Sequence, residues 1–146
     1  MKKTILTGAL ILSVLVVFAC KSQPKPKSTE DELRELYNRH YGNLILEGAE
    51  TYTVVAGDTL SHIAGKGNYH DSFYYPIILM ASRDVVVDED KLEPGMQLII
   101  PNLQKNLDDP KAKASIKQFL LDVAKIEDNR NRTETANGLR KLSASM

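Results

Sequence analysis

Thirteen residues, Tyr52 to Ala64, constrain this chain more than any other stretch, because "YTVVAGDTLSHIA" runs from strand to helix across one glycine. The β-branched and aromatic run "TYTVV" favours a strand over about Tyr52–Val55. Gly57 lets the backbone turn without a Cβ clash, and Asp58 or Thr59 offers a side-chain oxygen to the open amides of a helix starting near Leu60. Such an abrupt corner commits the chain to a small sheet with a helix packed close upon it.

The next forty residues complete one unit. Gly65, Gly67 and Asn68 end the first helix, and a second helical pattern runs from about Ser72 through "FYYPIILMAS", with Pro76 tolerable in its first turn. Beyond "RDVVVDEDKLEPG" the segment "MQLIIP" reads as a last strand, entered through a turn that Pro94 and Gly95 suit. The order strand, helix, helix, strand predicts an α+β fold with a two-stranded antiparallel sheet carrying two helices. Alternation turns Tyr52, Val54, Leu98 and Ile100 inward, and Leu60, Ile63, Ile77, Ile78 and Leu92 complete the expected core. Two strands need such helix cover to be stable.

Helical patterns flank this unit. Leu33, Leu36, Tyr37, Tyr41, Leu44 and Ile45 share one helix face over residues 30–47, with Ser28 or Thr29 as cap and Gly42 as a weak point or bend. On the far side Asp109 can cap a helix with Pro110 at its first position, and Ile116, Phe119, Leu120, Val123 and Ile126 form an apolar stripe. That stripe can cover itself against the first helix, Glu32 to Leu46, or against another protein. The last stretch, "NRTETANGLRKLSASM", has few large apolar residues and predicts a weak helix or a frayed tail within the helical region 108–146.

The amino terminus sets a compartment. Lys2 and Lys3 precede the fourteen-residue apolar run "ILTGALILSVLVVF", too short for a comfortable membrane span and typical of a secretory signal over residues 1–19. "VFAC" resembles a bacterial lipobox, which implies lipid on Cys20, the only cysteine. Acyl chains there hold a protein to a membrane by about 0.8 kcal/mol per buried methylene. Residues 20–29, rich in Pro, Lys and Ser, read as a tether. Loss of the signal removes Lys2 and Lys3 from a balanced chain of 19 basic and 19 acidic residues and leaves a formal charge of −2. Nothing basic remains in surplus for nucleic acid.

Catalytic constellations are not apparent. His40, His62 and His70 have neither HExxH nor HxH spacing, and Ser61 and Ser82 lack a GxSxG context. The acids of "DEDK", Asp88 to Lys91, read as a solvated loop that can end in a short turn, without the glycine and distal glutamate of an EF-hand. No metal, cofactor or enzymatic activity is expected.

"YTVVAGDTLSHIA", then "YYPIILMAS", then "DKLEPGMQLIIP" together resemble a single LysM domain over residues 51–102. Tyr75 stands where many members have tryptophan, and Ser82 where an asparagine commonly ends the second helix. The resemblance implies binding of N-acetylglucosamine-containing glycans such as peptidoglycan or chitin. It implies a shallow groove with Gly57, Asp58, Thr59 and Leu60 on one wall and Ala81, Ser82, Arg83, Asp84 and Val85 on the other. An acetamido group asks for one donor, one acceptor and a small dry surface, which backbone and an apolar contact supply. Leu60 has core packing as its first role, and Arg83 can meet a sugar or peptide or pair with Asp84. The expected protein is a noncatalytic envelope lipoprotein, anchored to a membrane through Cys20 and facing periplasm or cell wall. The alternative is an anchored scaffold whose flanking helices bind an envelope protein.

Overall fold

The computed structural model describes residues 27–67 and 69–146. The signal, the lipobox cysteine Cys20 and most of the tether lie outside the described residues. Among the described residues six helices and two strands run in the order α1 Thr29–Tyr41, β1 Glu50–Thr53, α2 Leu60–Lys66, α3 Tyr75–Ala81, β2 Gln97–Ile100, α4 Leu103–Asp108, α5 Pro110–Asn129 and α6 Thr133–Ser145. Single 3-10 turns at Ser72–Tyr74 and Glu89–Lys91 precede α3 and β2. The architecture is the expected α+β arrangement, a LysM-type βααβ unit with flanking helices.

The sheet is antiparallel, with Thr51 opposite Ile99 and Tyr52 opposite Leu98. β1 begins two residues earlier than the apolar run suggests and ends before Val54. Val54 nevertheless stays tied to the partner segment, its amide donating to Met96 O at 2.9 Å while its carbonyl accepts from Gly95 N at 2.8 Å. Those bonds hold the Pro94–Gly95 turn against the corner and bury Val54. Leu98, Leu60, Ile63, Ile77 and Ile78 are buried as predicted, whereas Tyr52, Ile100 and Leu92 are half-buried at the edge of the core.

Capping decides the first flank. Ser28 Oγ accepts from Asp31 N at 3.2 Å while Asp31 returns a bond to the Ser28 amide, so Ser28 is the cap. Gly42 ends α1 instead of bending a longer helix, so Leu44 and Ile45 leave the helical face. A tertiary partner explains the change. Buried Asn106 on α4 accepts from Ile45 N at 2.8 Å and donates to Ile45 O at 2.9 Å, which fixes the segment 42–49 as a loop.

The stripe of α5 is covered within the chain. The Phe119 ring meets Tyr37 of α1 edge-on at 5.9 Å and His40 at 5.5 Å, and the α1 partner is the expected one. The second partner departs from expectation: the carboxyl-terminal stretch is a thirteen-residue helix, α6, with Ala136, Leu139 and Leu142 buried against α5. Its low apolar content is enough because α5 supplies the other half of the interface. Among the described residues no helix is long and apolar enough to cross a membrane.

Candidate functional site

The corner between β1 and α2 is built by two side chains with separate tasks. Asp58 Oδ2 accepts from Val55 N at 2.9 Å and from the Tyr52 hydroxyl at 2.7 Å, and Asp58 N donates to Val55 O at 3.1 Å. The Val55 amide, then the Tyr52 hydroxyl, hold the Asp58 carboxyl below the usual carboxylate range. Thr59, not Asp58, caps the helix: its Oγ1 accepts from His62 N at 3.1 Å. Gly57 lies close by at φ +90°, with open space where a Cβ would stand, so conformation and not crowding demands glycine there. Leu60 is buried beneath the corner, while Gly57 and Thr59 are exposed. The amides of Leu60 and Ser61 precede the first intrahelical bonds and lie at the helix mouth.

The second wall begins where α3 stops. Ser82 is the carboxyl cap, its amide donating to Ile78 O at 2.9 Å. Its carbonyl accepts from Val85 N at 2.8 Å and Val86 N at 3.0 Å, curling the loop into a turn. The buried Ser82 hydroxyl accepts from Ile99 N at 2.8 Å, on the edge of β2 away from β1. Ala81 is buried as well, so Ala81 and Ser82 position the wall and do not line it. Asp84 and Val85 are exposed. Arg83 pairs with a ring instead of with Asp84: its guanidinium carbon lies 3.3 Å from the centroid of Tyr41.

Six of the nine residues named from the sequence are distributed over three hollows, and Gly57, Ala81 and Ser82 line none of these. Thr59 and Leu60 face Glu89 and Asp90 across one, Arg83, Asp84 and Val85 share another with Met96 and Glu93, and Asp58 lines a third beside Tyr52 and His62. Met96 links the two walls, bonded through its carbonyl to Val54 and lining the hollow with Val85. Among the described residues the exposed large apolar side chains are Val55 at 56% and Val85 at 46%, one on each wall. Val55 was legible in the sequence: if Tyr52 and Val54 turn inward, Val55 turns outward.

Residues 52–66, the end of β1, the corner and α2, match the family model of the LysM domain. That stretch is similar to LysM. No curated protein and no solved structure matches the chain. LysM is a glycan-binding module, so the match points to carbohydrate recognition in general and carries no catalytic residue set with it.

Behind the corner that matches LysM, Glu89 and Asp90 stand in the short turn that "DEDK" allowed, but ion pairs hold them where a solvated loop was expected. Asp88 is buried and caps the turn, its Oδ1 accepting from Asp90 N at 3.1 Å. Arg130, just after α5, donates to Asp88 Oδ1 at 3.0 Å and to Glu127 Oε1 at 3.2 Å, and also bonds Asp90. Arg132 bonds Glu89 and Asp90 and lies 3.5 Å from Glu127. Burial, reinforced by the charge of Glu127, raises the Glu89 carboxyl above the ordinary glutamate range even with Arg132 opposing. No sequence spacing links residues 88–90 to 130–132, so only the fold reveals this clamp. Among the described residues no three His, Cys, Asp or Glu side chains are grouped to hold a metal ion.

Proposed function

We propose that the chain is a noncatalytic glycan-binding lipoprotein of a bacterial envelope, tied to a membrane through lipid on Cys20 and recognising N-acetylglucosamine-containing glycan at the LysM corner. The observation that carries the reading is the LysM match over Tyr52 to Lys66, which falls on the corner that Gly57, Asp58 and Thr59 shape. Val55 and Val85 support it, because exposed apolar side chains on the corner and on the loop after α3 suit an acetamide methyl. The flanking-helix scaffold is less well supported, since the stripe of α5 is spent on α1 and α6.

A single module binds weakly on its own, and the anchor compensates by raising local concentration. Titration of the full chain with chitotetraose, followed by amide NMR, tests the glycan reading. Perturbations at residues 55–60 and 83–86 that saturate at millimolar sugar are expected, and silence at both walls sinks it. Release of soluble fragments from purified peptidoglycan would instead mark a hydrolase, and none is expected. Cys20→Ala tests the anchor: the protein should move from the membrane to the soluble fraction.

A further inference from the structure

The hollow between α1 and the loop after α3, about 310 Å³, holds charged groups that a neutral acetamido sugar cannot use. Arg34, Arg83 and Lys91 all line it. Lys91 is already paired with Glu30 across the same hollow. Arg83 lies against Tyr41 with its Nη1 buried and without a hydrogen-bond partner among the described residues. Arg34 stands exposed on α1 with no ion-pair partner among those residues. A guanidinium with donors left over is completed by oxygen from outside, and two guanidinium groups lining one hollow suit a carboxylate.

The hollow is not a field of one sign. Asp84 and Glu93 line it too, and neither is ion-paired among the described residues. Two cations and two carboxylates left over match a ligand carrying both charges, which a phosphate or an unmodified glycan does not. Val85 belongs both to this hollow and to the candidate glycan wall, so the hollow adjoins the candidate sugar site. We infer that this hollow takes the peptide portion of a peptide-bearing amino-sugar glycan, a peptide carboxylate bonding Arg83 and Arg34 while an ammonium faces Asp84 and Glu93. The chain would thereby discriminate peptidoglycan from chitin. The inference rests on the glycan reading for its neighbouring sugar site.

Calorimetry on the full chain with three probes separates the two ideas: chitotetraose, the disaccharide N-acetylglucosaminyl-N-acetylmuramic acid, and the same disaccharide carrying its tetrapeptide. The tetrapeptide form should bind about tenfold tighter than the bare disaccharide, the contribution of one charge-assisted hydrogen bond. Arg34→Ala, on an exposed helix face, should abolish that gain and leave chitotetraose affinity unchanged. Equal affinity of the two disaccharides, or a gain that survives Arg34→Ala, overturns the inference while leaving the glycan reading intact. Arg34-dependent binding of the tetrapeptide form without chitotetraose binding overturns the glycan reading and keeps the peptide site. If no probe binds, both are lost.

Discussion

At Gly57 the backbone sits at φ +90° in open space, so an added methyl meets no neighbour and still forces an unfavourable conformation. Gly57→Ala should cost about 1–2 kcal/mol in urea unfolding and weaken chitotetraose binding by displacing the Asp58 turn. Gly138, inside α6, illustrates the opposite cause: a Cβ there would lie 2.1 Å from the Phe73 ring. Helix propensity alone makes Gly138→Ala stabilising by about 1 kcal/mol. We expect destabilisation instead, read as a lowered urea midpoint, because the Phe73 ring must leave its place against α6. His40 gives a pH signature. Burial lowers its pKa against the opposing pull of Asp122, whose Oδ2 lies 3.6 Å from Nε2, while Nδ1 sits 3.0 Å from Ser115 Oγ. The unfolded chain therefore binds a proton near pH 6.5 that the folded chain takes up only lower, and this contribution to stability is lost as pH falls below about 6.5. In urea unfolding at pH 7.5 and 5.5, His40→Gln should lose less stability than the parent chain over that interval.

Among the elements, α6 departs furthest from its sequence. Leu139 and Ala136 are fully buried, so Leu139→Ala should cost about 2–4 kcal/mol, as a cavity in a core does and a frayed tail would not. The clamp on the turn Glu89–Lys91 belongs to this scale as well. Arg130→Ala strips one partner from Glu127, which is 2% exposed, and should cost about 3 kcal/mol in the same assay. Because Glu89 and Asp90 share a hollow with Thr59, the substitution should also weaken glycan binding, read by the same chitotetraose titration. The helix α1 shows how an element boundary escapes a periodic pattern. Leu44 and Ile45 continue the spacing of Leu33 to Tyr41, yet Asn106 engages the Ile45 backbone through bonds that a helix would need for itself.

Across the whole molecule, the LysM-type unit and its flanks share a core: Tyr37 of α1 donates to Val87 O at 2.7 Å, Arg83 lies on Tyr41, and Arg130 and Arg132 reach Asp88 to Asp90. The loop after α3 is thus gripped from both flanks, and unfolding should be a single transition by circular dichroism and by tyrosine fluorescence. By itself the sequence determined the strand, corner and helix at residues 52–66, the α+β class, Thr59 and Asp58 among the corner's polar groups, and the stripe of α5. These depend on neighbours a few residues away, through β-branching, caps and a glycine with positive φ. Only the tertiary structure decided that α1 stops at Tyr41, that α6 is a full helix, that Ser82 serves β2, and that the acidic turn is clamped. Each of these rests on a partner at least seventeen residues distant, where Asn106, α5, Ile99 or Arg130 offers bonds or apolar cover that no local spacing encodes.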